Sequence, residues 1–434
     1  MATPRTRTLR CRVLRQAAAA SALLAAVAIP AALRGQEAPT PKPTVLVTSS
    51  SQRLAYLAKA TTWQERELPS PQEILEGPPG SQGGSREALN PPDGIPCAYE
   101  AAAATLGGNT PKFTCRTADG RSIRVKYFSG DPSTGNREVF AEVVATRLFW
   151  TLGFEADRVY PITVNCQGCP ADPMHGTGPR ATRKFLGVTE PHFKGELILS
   201  RTDPDQGWKF GEFDKAIADL PDGPDKGKQL AHHDALNLLA VFIQHGDRKP
   251  ANQRLICAGD LDESAGDVRS LSDDDNALPI AALFERPHAT ACRTPAALVQ
   301  DLGATFGGSG LKTSKMRLSS WAKRRVFLPP PPATSPRRGP AVCHGDVIAG
   351  FVSGDQTGDE PRIGEAGRAL LADMLGRLTD AHIRALFESG RVDALGEPAE
   401  WRDPETKDVY RGIDAWVAVF KHKRAEIAAA RCGG

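Results

Sequence analysis

The sequence predicts an α+β fold, on three observations. Residues 112 to 128 read as strand, tight turn and strand, "KFTCRT", "ADG" and "RSIRVKYF", with β-branched, basic and aromatic residues in the strands. The next segment, "REVFAEVVATRLFWTLGF", repeats Val139, Val143 and Trp150, and Phe140, Val144 and Leu148, at helical spacing. The last part of the chain carries three further helical segments, "EAGRALLADMLGRL", "DAHIRALFESG" and "IDAWVAVFKHKRAEIA". With 434 residues, 40% of them hydrophobic and 24% charged, there is material for one large or two modest globular domains.

The first 36 residues stand apart. "MATPRTRTLRCRVLRQ" carries five arginines and no acid, and "AAAASALLAAVAIPAAL" is apolar and rich in small residues. That order reads as a secretory signal peptide, with an uncleaved N-terminal signal anchor as the competing reading, because 17 apolar residues lie at the short limit for a spanning helix. No other segment is long and apolar enough to cross a bilayer. Without residues 1 to 36 the formal charge falls from +3 to −3, so the basicity belongs to the signal and nothing argues for a nucleic-acid partner. Eight cysteines then remain, an even number that in an exported, periplasmic or secreted chain favours disulfides.

Residues 37 to 96, with "APTPKPT", "GPPGSQGGS" and "NPPDG", read as a flexible Pro/Gly-rich linker containing at most a short helix around "SPQEILEG". Order is expected to begin near Cys97. "TLGGNTP" offers a glycine loop whose backbone could approach a ligand closely, just before the hairpin. "RVYPITVNC", "RKFLGV" and "GELILSR" are strand candidates, and "QLAHHDALNLLAVFIQ" is a helix apolar nearly all round and therefore buried. "QRLIC" and "ALVQDLGATFG" read as short strands on either side of the acidic insertion "GDLDESAGDVRSLSDDDN", which a Cys257–Cys292 bridge would staple. Cys166 and Cys169, in "CQGC", lack the partner pair of a zinc site and the context of a redox motif, and read as a structural disulfide at a hinge. The nine histidines show no metal-ligand spacing.

The chemistry concentrates in "HGDRKPAN", residues 245 to 252, delivered by the buried helix. Phosphoryl transfer from ATP needs a lysine on the phosphates, a helix acid to hold it, an aspartate facing the acceptor and oxygen ligands for magnesium. The sequence supplies these in chain order. Lys126 lies on the second strand of the hairpin, and Glu142 or Glu138 lies on the following helix. Asp247 can accept the proton of an attacking hydroxyl, Lys249 can neutralise the transferring phosphoryl, and Asn252 offers a neutral oxygen to a metal. Asp301 in "QDLG" ends a strand, where a carboxylate can bridge Mg²⁺ and phosphates. Each alone has a plain reading: a solvated lysine, a surface helix acid, an Asp-x-Gly turn. The order carries the signal. A second His-Gly-Asp at 344 to 346 has Phe351 where an asparagine is required and reads as a loop, and the basic "LKTSKMRLSSWAKRR" reads as a solvated helix face.

On these residues the chain resembles the protein kinase-like superfamily. "HGDRKPAN" is similar to the catalytic loop of eukaryotic-type protein kinases, its His-Gly-Asp opening looks like that of aminoglycoside and choline phosphotransferases, and "EVVATRLFWTLGF" resembles the glutamate-bearing helix of phosphoinositide-kinase-like and HipA-like branches, which favours Glu142 over Glu138. The resemblance implies a two-lobed protein kinase-like fold, with a small β-rich N-lobe over 97 to 185 and a larger helical C-lobe over 186 to 434. It implies ATP and Mg²⁺ or Mn²⁺ in the cleft, Lys126 and Glu142 on the nucleotide, Asp247 and Lys249 as catalytic groups, Asn252 and Asp301 as metal ligands, and a hydroxyl-bearing acceptor of unknown identity. The sequence departs from the pattern in having no G-x-G-x-x-G before Lys126 and no A-P-E after "DLG". Because ATP is scarce outside a bacterial inner membrane, an exported pseudokinase or binding module without turnover is the alternative. A disulfide-stapled protein of another fold would hold Asp247, Asn252 and Asp301 far apart.

Overall fold

Alternating strands and helices share one chain in the computed structural model, which describes residues 45–79, 94–101, 110–128, 137–190, 196–200, 207–258, 292–307, 316–329, 342–347, 361–395 and 399–433. The signal sequence, most of the glycine loop and the acidic insertion lie outside the described residues. No helix among the described residues is long and apolar enough to cross a membrane.

The N-terminal segment is where expectation and structure part. Residues 45–79 are folded: strand β1 (Val45–Thr48), helix α1 (Ser50–Lys59) and helix α2 (Pro71–Glu76). Both helices open on a capping box, Ser49 with Gln52 and Ser70 with Glu73, in which side chain and main chain satisfy each other's orphan donors. Leu57, Ala58, Ala60 and Ile74 are buried in the main core. Strand β1 pairs in parallel with β7 (Glu196–Ser200), a partner about 150 residues away that no local pattern announces.

Strands β2 (Ile95–Glu100), β3 (Lys112–Thr117), β4 (Ser122–Tyr127), β5 (Tyr160–Cys169) and β6 (Ala181–Thr189) close into a barrel in the order β2-β3-β4-β6-β5. Phe113, Val125, Tyr127, Ile162 and Val164 fill it, together with the disulfides Cys97–Cys115 and Cys166–Cys169. The second bridge spans a register shift near the end of β5, inside the barrel rather than at a hinge. Helix α3 (Glu138–Leu152) is buried almost all round, and Gly153 ends it in the left-handed conformation, where a side chain would also strike the Gln64 carbonyl.

A second sheet runs β1-β7-β8-β9, with β8 at Gln253–Cys257 and β9 at Pro295–Val299. The expected Cys257–Cys292 bridge joins the ends of the connection between β8 and β9. Helices α4 (Phe210–Ala218) and α5 (Pro224–Phe242) precede that sheet pair, and α5 is buried from Ala235 to Phe242. The chain ends in α6 (Leu318–Lys323), the short strands β10 (Cys343–His344) and β11 (Arg362–Ile363), α7 (Glu365–Gly376), α8 (Asp380–Ser389), the hairpin β12 (Glu400–Arg402) with β13 (Val409–Arg411), and α9 (Ile413–Ala429). Trp321, Phe387, Trp416 and Phe420 pack edge and face around one another there. Cys343–Cys432 ties the C-terminus to β10. The second His-Gly-Asp is structural: Gly345 packs against Val241, and the Asp346 carbonyl accepts from Gln244 Nε2 at 2.5 Å.

Candidate active site

Side chains alternate along a strand, so with Val125 and Tyr127 inside the barrel Lys126 projects from its other face, toward α3. Lys126 Nζ donates to Glu142 Oε1 at 2.9 Å and also to the Glu190 carboxylate. Glu142, rather than Glu138, is thus the helix partner. Glu138 lies one turn earlier and accepts from the Thr110 hydroxyl. Glu190, just beyond β6, was not legible in the sequence, where it is one acid after "GVT" with no spacing to mark it.

These groups are buried, and their charges are set by one another. Burial disfavours the Lys126 cation, but Glu142, Glu190 and Asp301 more than offset this and hold it well above the usual lysine range. Burial pushes the Glu142 carboxyl up, against the pull of Lys126, and the neighbouring Glu190 charge pushes the same way. Burial also opposes ionisation of Glu190, yet Lys126 and a hydrogen bond from Glu142 bring it down to about 2. The two glutamates are thus shifted in opposite senses around the one lysine.

The "HGDRKPAN" loop begins where α5 ends. Gln244 takes a positive φ of 58°, turning the chain sharply, and His245 is fully buried. Asp247 remains about a quarter exposed, and Lys249 Nζ donates to its Oδ2 at 2.9 Å. Asn252 lies in a single 3₁₀ turn, Pro250–Asn252, where its Nδ2 donates to the Asp247 carbonyl at 3.1 Å.

Three main-chain hydrogen bonds sew this loop and the end of α5 to the "QDLGATF" segment. Gly246 N donates to Ala304 O at 3.1 Å, Gln300 N to Asn252 O at 2.8 Å, and Phe306 N to Ile243 O at 2.6 Å. Asp301 takes a positive φ of 52° immediately after β9, in a turn that passes so close to α3 that a Cβ on Gly303 would meet the Glu138 Cβ at 3.0 Å. Burial pushes the Asp301 carboxyl up; Lys126 pulls it down, while Glu138, Asp247 and Glu190 add to the rise. Those four groups therefore act on Asp301 together, and the six residues singled out in the sequence converge on one region.

A further acid, Asp157, was also missed. It follows α3, bridges to β9 through its main chain and accepts from Gln300 Nε2 at 2.9 Å. Burial, reinforced by Glu190, pushes its carboxyl up to about 7. Glu142, Asp157, Glu190 and Asp301 thus gather carboxyl groups around one buried lysine, an excess of acid that a divalent cation near Asp301 would relieve. Among the described residues no three His, Cys, Asp or Glu side chains form a metal-holding group. An ion there would take Asp301, the Asn252 amide oxygen, water and phosphate oxygens, an all-oxygen set suited to Mg²⁺ or Mn²⁺.

No protein-family model matches the chain, and no curated protein matches it. Among solved structures it is similar to a proinflammatory kinase, CtkA, of Helicobacter pylori, at 11% identity, with 77% of this chain and 95% of that chain covered and a TM-score of 0.36.

Proposed function

We propose that the chain is an exported, kinase-like phosphotransferase that moves the γ-phosphate of ATP to a hydroxyl of a protein or small-molecule acceptor. Its frame would be the two-lobed kinase-like fold, with the barrel, through the end of β6 at Thr189, and α3 as the small lobe and the chain beyond as the larger, helical one. The observation that carries this reading is the main-chain stitching of the "HGDRKPAN" loop to the Asp301 turn, beside a lysine already paired with a helix glutamate.

In this reading Lys126, held by Glu142, orients the nucleotide phosphates. Asp247, the partly exposed carboxylate, receives the proton of the attacking hydroxyl, and Lys249 at 2.9 Å stabilises the charge that develops on the transferring group. Asn252 and Asp301 hold Mg²⁺ or Mn²⁺, which supplies neutralisation of phosphate charge. Asn252 has a second task, fixing the Asp247 main chain through its amide. The four disulfides suit an oxidising compartment, periplasmic or extracellular.

The test is calorimetric titration of the oxidised protein with ATP, with and without Mg²⁺ or Mn²⁺, alongside Asp301→Ala. Metal-dependent binding that disappears in the variant is expected. Equal binding by both proteins would defeat the site assignment.

A further inference from the structure

Lys112 opens β3 and stands directly opposite Lys126 in the antiparallel register of β3 with β4. Its neighbour Phe113 fills the barrel, so Lys112 shares the outer face with Lys126. Directly opposed side chains on one sheet face lie about 4.5–5.5 Å apart at Cβ, and like charges placed so repel. Lys126 answers its own charge with two carboxylates, Glu142 and Glu190. Among the described residues no carboxylate comes within ion-pair distance of Lys112. Burial and Lys126 both disfavour its charged form, while Asp301 and Glu190 act on it from further away in the opposite sense. Lys112 is thus a half-buried ammonium opposite a second cation and, among the described residues, without a counter-ion in contact.

Such an arrangement costs free energy, and a multiply charged anion lying across both ammonium groups would offset it. Resting on the phosphotransferase reading, we propose that Lys112 is a second phosphate-binding residue of the site, gripping a polyphosphate together with Lys126. The glutamates fix Lys126 in place, and Lys112 contributes the uncommitted charge. Two adjacent ammonium groups span neighbouring phosphates, so the pair selects di- and triphosphates over a monophosphate.

The experiment is calorimetric titration of the oxidised full chain with ATP, with inorganic tripolyphosphate and with AMP, each with and without Mg²⁺. Wild type is compared with Lys112→Met and Lys112→Arg, and Lys112→Gln replaces the Met variant if thermal unfolding shows that the latter does not fold. The Met variant is expected to bind ATP and tripolyphosphate about tenfold more weakly or worse, the Arg variant to retain most of the affinity, and AMP binding to be indifferent to either change. Wild type and Met variant binding ATP equally would overturn the role of Lys112 and leave the phosphotransferase reading standing. Tripolyphosphate bound by wild type and lost in the Met variant, with ATP bound by neither, would support Lys112 and overturn that reading. Wild type binding neither polyphosphate would overturn both.

Discussion

Asp247 and Asp301 differ in the way their proposed roles require. Asp247 is partly open to solvent and paired with Lys249, whereas Asp301 is crowded by other acids at the foot of β9. Asp247→Asn is expected to leave ATP affinity within a few-fold of wild type while lowering turnover about a hundred- to ten-thousand-fold, measured as phosphate transfer or slow ATP hydrolysis. An unchanged rate would remove Asp247 from the chemistry. Asp157 gives a separate prediction in pH. Its carboxyl is raised from 3.8 to about 7 in the folded protein, so its stabilising contribution is present below about 4 and is lost as pH rises through about 7. Asp157→Asn should therefore gain stability relative to wild type at pH 8 compared with pH 5, read by urea denaturation at the two values. A constant difference would show that the carboxyl does not titrate in that window. That the six residues singled out in the sequence lie near one another was legible from their order along the chain. Lys112, Glu190 and Asp157 were not, since their places follow from strand register and from the turn after α3.

At the scale of elements, the hairpin, α3, α5 and the three C-terminal helices were visible as periodicity, and each is present. Of the segment 45–79 only α2, the short helix expected around "SPQEILEG", was, and the reason is physical. The α1 cap "SSSQ" looks the same as the polar composition of a linker, and β1 gains its pairing from β7 rather than from its own four residues. If α1 is part of the core, Leu57→Ala should cost about 2–5 kcal/mol in denaturant unfolding, the usual price of a large-to-small change at a fully buried site. A silent substitution would return the segment to the status of a tether. The same β1–β7 contact links the N-terminal segment to the sheet that carries Asp301 at its far end, with β8 and β9 completing it.

At the scale of the molecule, the four disulfides among the described residues divide the covalent reinforcement between the barrel, the β8–β9 connection and the C-terminus. Cys343–Cys432 spans 89 residues, and Cys432 N also donates to Glu365 Oε2 at 2.7 Å, so the chain end is held both to β10 and to α7. Replacing both of these cysteines with serine should lower unfolding free energy by about 2–5 kcal/mol while leaving nucleotide affinity at low temperature unchanged; a change in affinity without a change in stability would contradict this division. The barrel disulfides act elsewhere. Cys97 and Cys166 occupy opposed positions on β2 and β5, so both bridges brace the barrel to which β4, the strand of Lys126, belongs. A newly made chain in a reducing compartment full of ATP would lack those braces. In the proposed reading the protein would thus meet its nucleotide first as a slack vessel and only after oxidation as a taut one, and the act of leaving the cell would itself be the arming step.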